Sequence, residues 1–279
     1  MTTKNRRRLQ LLIVFALSIG VSAGLWCAGR RRPAGPASGS SLQSVDSSTT
    51  RPTLADNTFR VATMNIDGGQ GKDGRLDLSR TAKNFQRINI IGLNEVHAGG
   101  LFSSDNQAHQ LASLLKLPYQ YLPAERRWGK DSFGNALLSD LPIQKWDCQT
   151  LPSRPGLAFR NYTLADVNVN STLVHVVITH VDWKAGGDEQ LQQVGDVFLN
   201  LPTPAILMGD MNHGRSDSNI QRILHSPGVI DAVPADIQPP ESVRVDWIFI
   251  RGLKSIDAGV VDFGASDHPA YWAQLQLEK

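Results

Sequence analysis

From Phe59 onward, apolar and polar positions fall into two spacings that take turns along the chain. Period-two or short continuous apolar runs predict strands at Phe59 to Met64, Ile88 to Leu93, Asn135 to Leu138, Ile143 to Cys148 and Tyr162 to Val169. Four more follow at Leu173 to Thr179, Ala205 to Met208, Val243 to Ile250 and Tyr271 to Leu277. Helical spacing lies between them at Asn106 to Leu115 and Asp188 to Leu199, the second carrying Leu191, Val194 and Phe198 on one face. Asn170-Ser171, between two β-rich runs, marks a hairpin, so the sheets are mixed or antiparallel. Two packed sheets with helices outside accommodate this order.

The N-terminal pattern is different. Lys4, Arg6, Arg7 and Arg8 precede an uncharged stretch from Leu9 to Gly29, which as a helix would span about 31 Å. It reads as an export signal or a membrane anchor. Small residues at Val21-Ser22-Ala23 suit cleavage, whereas Arg30, Arg31 and Arg32 behind the stretch suit an uncleaved anchor with a cytoplasmic N-terminus. Either reading exports the folded part, as a secreted or periplasmic protein or one anchored with its domain outside the cytoplasm. Trp26 occupies the place where a lipoprotein box before Cys27 needs a small residue. From Arg32 to Asn57 the chain is rich in Ser, Thr, Pro, Ala and Gly and predicts a disordered tether. The expected division is residues 1–29 as signal or anchor, 30–57 as linker and 58–279 as one domain.

Composition supports a single core, since 279 residues with 41% hydrophobic content suffice for one well-packed domain. The overall charge of +2 is uneven: residues 1–51 hold eight of the 28 Lys and Arg and one of the 26 acids, leaving 20 cations against 25 acids. A domain of that sign lacks the broad basic surface that tracks long nucleic acid. Arg126, Arg127 and Lys130 form a local cationic cluster, readable as a groove or as a solvated loop. Cys27 and Cys148 leave no disulfide within the domain.

Candidate chemistry gathers where predicted strands end. Asn65 closes the first strand ahead of Asp67-Gly68-Gly69, a loop start or a close approach to a ligand. Glu95 follows the apolar run to Leu93, as an exposed acid or an oxygen ligand for Mg²⁺. His180 ends its strand and can donate to a phosphoryl oxygen, while His175 inside the same strand reads as structural. Asp210 and Asn212 are two residues apart, which turns both side chains one way and Met211 the other. Asp246 alternates against Val245, Trp247 and Phe249, and can orient His268 as a base is oriented in hydrolytic triads.

Asn94-Glu95-Val96, Gly134-Asn135-Ala136-Leu137-Leu138-Ser139, Thr179-His180, Gly209-Asp210-Met211-Asn212, Asp246-Trp247-Ile248-Phe249 and Ser266-Asp267-His268, together with Asn65, stand in one order along the chain. In that order they resemble the endonuclease/exonuclease/phosphatase superfamily, over Phe59 to Leu277. The resemblance implies an α+β fold, a four-layer αββα sandwich of two mixed sheets with outer helices, and Mg²⁺ or Mn²⁺ as cofactor. It makes Glu95 the principal metal ligand, with Asn65 and Asp267 near the ion. His268, held by Asp246, activates or aligns the attacking water; Asp210 positions it or serves as the base instead. Asn212 and His180 bind phosphate, and Arg160, rather than Arg154, matches a family arginine able to clamp a phosphate oxygen. Asn94 replaces the family's Gln and Ile178 its Asn, the first of which alters how Glu95 is supported.

Three functions follow from these residues. A metal-dependent phosphodiesterase or nuclease is the first, a phosphomonoesterase or lipid-headgroup hydrolase near a membrane the second, and a non-catalytic binding module the third. The partner expected is a phosphate ester, from nucleic acid or a phospholipid headgroup, with the membrane a second partner through the N-terminal segment and the chain a monomer.

Overall fold

The computed structural model describes residues 31–45, 54, 57–100, 105–127, 131–154, 157–184, 186–237 and 244–278. The predicted signal or anchor lies outside them, and no helix among the described residues is long and apolar enough to cross a membrane. Along the chain run β1 (Arg32–Pro33), β2 (Ala37–Gly39), β3 (Thr58–Asn65), α1 (Leu78–Lys83), β4 (Ile90–Ala98), α2 (Gln107–Leu115), β5 (Tyr119–Arg126), β6 (Ser132–Ser139) and β7 (Ile143–Thr150). β8 (Asn161–Val169), β9 (Thr172–His180), α3 (Gly187–Asn200), β10 (Ala205–Asp210), α4 (Ser218–Leu224), β11 (Val229–Asp231), β12 (Asp246–Arg251), β13 (Leu253–Val261) and β14 (Ala270–Leu277) complete it.

The strands form two sheets, ordered β1-β5-β6-β4-β3-β14-β13 and β11-β12-β10-β9-β8-β7-β2. Strand alternation explains the layers. Val61, Ile90, Val176, Ile178, Ile206, Met208, Ile248 and Ile250 face inward and fill the space between the sheets. Their neighbours Ala62, Met64, Ile91 and Leu93 face outward onto Phe85 and onto Ala108 and Leu111 of α2. On the other side Val177, Leu207, Trp247 and Phe249 meet Leu191, Val194 and Phe198 of α3 and Ile220 and Ile223 of α4. The result is the expected four-layer α+β sandwich. β3 and β4 are parallel, as are β9 and β10, and these four strands finish at one end of the sandwich. That end is built from loops and carries the polar side chains.

The expected tether is corrected for its first part. Arg32 and Pro33 pair with Arg126 and Glu125 of β5, and Ala37 to Gly39 pair with Cys148 to Trp146 of β7. Residues 31–43 therefore lie along the seam where the two sheets would otherwise end open, reaching Tyr119 through a bridge at Gln43. Sparse apolar content misled the composition argument, because this segment is held by backbone pairing to strand edges. Side chains add to it: Ala34 is buried, Leu42 packs on the core, and the Trp146 indole N–H donates to the Ser41 carbonyl at 3.1 Å.

Five strands, β1, β2, β5, β11 and β13, and two short helices, α1 and α4, have no counterpart in the predicted pattern. Pro123 interrupts β5 at a register shift, and β13 is an edge strand with a bulge between Ser255 and Asp257, so neither shows clean alternation.

A Cβ on Gly39 would sit 2.8 Å from the Trp146 indole. Gly39→Val should therefore release the strap and lower the melting temperature by about 3–8 °C, on the scale of one or two kcal/mol for a domain of this size. An unchanged melting temperature would show that the strap contributes nothing to the fold.

Candidate functional site

Backbone geometry brings the strand ends together. Gly209, at φ 141°, has only 1.9 Å between the place of a Cβ and the Thr179 carbonyl oxygen, so any side chain there would push β10 off β9. Asp210 thereby comes level with His180 in the register. Across the other sheet, the β4–β6 ladder shifts between Leu93 and Val96, and Glu95 takes a left-handed φ of 57° in this bulge. Asp67 at φ 44° and Asn212 at φ 51° are left-handed as well. Three non-glycine residues held in that region at one end mark where local strain is tolerated for the sake of side-chain placement.

Beneath these residues the sheets are joined by amides rather than hydrocarbon. The buried Asn94 side chain donates to Asn135 Oδ1 at 2.8 Å and to the Thr179 carbonyl at 2.9 Å, and accepts from the Asp210 N–H at 2.9 Å. Asn135 passes a 2.7 Å bond to Asn161 Oδ1, and Asn161 donates to the carbonyls of Leu122 and Pro123. Asn65 Nδ2 donates to Asp210 Oδ2 at 3.0 Å, while its Oδ1 accepts from the Asp67 N–H at 3.0 Å. Each amide is used from both ends, which is what makes a buried polar layer tolerable.

The titratable groups divide into two sets. His180 receives Arg160 Nη1 at 2.9 Å on its Nδ1. A guanidinium has no acceptor, so Nδ1 must be bare and a neutral ring carries its proton on Nε2. Burial, then the charges of Arg160 and His268, hold the His180 pKa well below the ordinary imidazole range, so the ring is neutral. Its Nε2 stands 3.4 Å from Asp210 Oδ2 and 3.8 Å from Glu95 Oε1. Asn212 lies beside it, its Nδ2 fixed by the Val181 carbonyl at 2.8 Å and its N–H by Asp210 Oδ1 at 2.8 Å. The Asn212 side chain is thus aimed by a turn, not by strand alternation, because β10 ends at Asp210.

His268 is set from the other side. Its Nδ1 lies 2.6 Å from Asp246 Oδ2, and its Nε2 reaches within 4.0 Å of Asp210 Oδ2. Burial opposes the charged ring, but the Asp246 hydrogen bond and the charges of Asp246, Asp210 and Asp267 outweigh it and push the pKa up to about 10. Asp210 moves up as well, through burial and then repulsion from Asp246.

Glu95 and Asp267 face Asp67, whose pKa rises through desolvation and then the repulsion of those two carboxylates. Carboxylate oxygens of this kind beside a strained loop are the donors that a hard divalent cation takes. Asp210, Asp246 and His268, unlike those three carboxylates, bring ligand atoms within 4.8 Å of one another, but the Asp246–His268 contact is spent on a hydrogen bond. A second group, Asp188, His213 and Asp217, lies beyond Asn212, with Asp188 exposed.

All the predicted residues sit at this end. Asn65, Glu95, His180, Asp210, Asn212, Asp246 and His268 form one connected set through the contacts above, and Asp267 adjoins it through its bond from Ser266 Oγ at 3.0 Å. Arg160 is placed differently from expectation: it is buried, spent on His180, with Nε lacking a partner among the described residues. Arg154 instead pairs with Glu189 at 3.6 Å outside the site. Arg127 pairs with Glu125 at 2.7 Å, and Lys130 lies outside the described residues. His175 pairs with Asp166 at 2.7 Å, a structural contact as read. From the sequence, Asp67 reads only as a loop residue and Asn135 only as part of a matched string, without a role for either, and Asn161 is not included. Amides inside otherwise apolar strands were the available signal for the last two.

A family model described as Endonuclease/Exonuclease/phosphatase family matches residues 62–268. Among solved structures, an endonuclease/exonuclease/phosphatase from Beutenbergia cavernae is 26% identical with a TM-score of 0.65, covering 79% of this chain and 72% of that one. The mannosyl-6-phosphatase Bt3783 of Bacteroides thetaiotaomicron is 16% identical, TM-score 0.60, covering 78% and 99%. A humanized D. rerio TDP2 is 16% identical, TM-score 0.58, covering 79% and 99%. No curated protein matches the chain.

Asn94→Leu would strand the Asp210 N–H, the Thr179 carbonyl and Asn135 Oδ1 in the interior. A loss of about 2–4 kcal/mol is expected, read as a lower midpoint in urea with an unchanged slope. A loss under about 0.5 kcal/mol would mean that the amide layer does not hold the sheets.

Proposed function

We propose that this chain, which belongs to the endonuclease/exonuclease/phosphatase family, is a metal-dependent phosphoric ester hydrolase that acts as a phosphodiesterase or nuclease outside the cytoplasm. The observation that carries the reading is the pair of group types gathered about Asp210. Around it the carboxylates of Glu95, Asp67 and Asp267 offer oxygens, and the N–H groups of His180, Asn212 and His268 offer donors, His180 Nε2 standing 3.8 Å from Glu95. A phosphate ester with a cation calls for both.

Glu95 would hold Mg²⁺ or Mn²⁺, with Asn65 and Asp267 beside it, and the ion would polarise the phosphoryl group and offset developing charge. The chain's own groups do the rest. His180, neutral and with its proton on Nε2, donates to a phosphoryl oxygen, and the Asn212 amide adds a second donor. Arg160 stays behind His180 and fixes its tautomer. Asp210 Oδ2 and His268 Nε2, 4.0 Å apart, flank one space that a water can bridge; with the His268 ring held charged, Asp210 takes the proton and His268 aligns the water. Asp246 holds His268 in place. The net charge of residues 52–279, with 20 cations against 25 acids, favours short phosphate esters over long nucleic acid.

Hydrolysis of bis-p-nitrophenyl phosphate should require Mg²⁺ or Mn²⁺ and stop in EDTA. The same ions should raise the melting temperature of the wild type and not of Glu95→Gln, because only a site that binds in the folded state stabilises it. Full activity of stripped protein in chelator would overturn the reading. Faster turnover of p-nitrophenyl phosphate than of the diester would make the enzyme a monoesterase.

His268→Ala should lower turnover by about 10²-fold or more and, because it leaves the buried Asp246 without its partner, should lower the melting temperature as well. Asp246→Asn acts through the same ring, so the double variant should be little worse than the worse single one. Multiplicative losses would separate the two residues.

A further inference from the structure

Seven large apolar side chains are exposed among the described residues, and the three most exposed are Leu76 at 74%, Trp183 at 68% and Phe263 at 55%. All three lie on loops at the catalytic end. Leu76 is in the segment after β3, Trp183 follows His180 by three residues, and Phe263 precedes Asp267 by four. The first and third loops are tied together, Lys72 N–H donating to the Gly264 carbonyl at 3.1 Å and Lys72 Nζ meeting Asp262 at 2.6 Å. Lys184 Nζ lies over the Trp183 ring at 5.1 Å from its centre. Isolated exposed apolar residues are ordinary, but the largest ones gathered around one mouth are not.

The strap adds an independent observation. β1 pairs antiparallel with the last residues of β5, and β5 ends where β6 begins, opposite Ala98 of β4. Arg31 and Arg32, both exposed, therefore stand at the catalytic end, and the strap runs from there toward Tyr119. The uncharged stretch Leu9 to Gly29 ends two residues before Arg31. Whatever that stretch enters is joined to the mouth of the site and not to its back.

We propose that the catalytic end is an interfacial face that seats on a phospholipid bilayer, with Leu76, Trp183 and Phe263 entering the headgroup boundary. Exposed aromatic and aliphatic tips with Lys72 and Lys184 next to them, and Arg32 and the Glu125-paired Arg31 at the far edge of the same end, are the composition of a surface that enters lipid and keeps its cations at the phosphates. The short span from Gly29 to Arg31 holds this face within reach of any bilayer the apolar stretch occupies. A substrate phosphate at the membrane surface would then meet the site without leaving the lipid. The docking does not depend on the reaction, since it rests on side chains outside the set that surrounds Asp210.

The test uses the full chain in vesicles of phosphatidylcholine and phosphatidylglycerol, with and without brominated acyl chains that quench tryptophan at the boundary. Trp183→Phe should lose a quenched component that wild type shows, and Phe263→Trp should gain one. Vesicles should also shield Trp183 from aqueous acrylamide. Both substitutions are at exposed loop positions, and no readout involves turnover, so a failed hydrolase assay leaves the result intact. Equal bromolipid quenching in wild type and both variants would overturn the proposal. Trp183 emission that changes with protein concentration and not with lipid would assign the face to a second copy of the chain, and would overturn it equally.

Discussion

The Asn94 side chain is the contact on which the site depends. It lies in one sheet and bonds to two strands of the other, accepting from the Asp210 N–H and donating to the Thr179 carbonyl. Hydrocarbon between sheets can slide, because it has no preferred partner; a two-sided amide cannot. The ladder through Asn135 and Asn161 extends this fixed registration across the sandwich. Asp210 and His180 therefore sit at a set height relative to Asn65 and Glu95, although Asn65 and Asp210 are 145 residues apart along the chain.

Above that layer the placement of side chains costs backbone comfort and electrostatic repulsion. Left-handed Glu95, Asp67 and Asn212 each stand in a region that non-glycine residues rarely occupy, at about 1–3 kcal/mol apiece. The Asp67 carboxylate is opposed by those of Asp267 and Glu95. Neither effect helps the protein fold. A cation held by the carboxylates would offset the repulsion, though not the backbone strain, and so would stabilise the loaded state over the empty one.

Much of this was legible in the sequence because strand periodicity and strand ends are local signals. The inward set of Val176, Ile178, Ile206 and Met208 reads directly from alternation, and so does the position of His180 and Asp210 at the strand mouths. Contacts across the sandwich were not legible. Nothing near Arg160 in the chain shows that it turns inward onto His180 Nδ1, and nothing near Asp67 shows that Glu95 and Asp267 face it. The strap failed for a different reason: composition measures what a segment can bury by itself, whereas Arg32 to Gly39 borrows its partners from two existing strand edges.

The central claim is that the carboxylates at the mouth of β4, and not the histidine clusters, take the cation. Anomalous diffraction at the manganese edge from crystals grown with Mn²⁺ tests it most directly. The account predicts one strong peak bounded by Glu95 and Asp267, on the side of Asp210 away from Asp246. A peak confined to Asp188, His213 and Asp217, or one seated between Asp246 and His268, would contradict it.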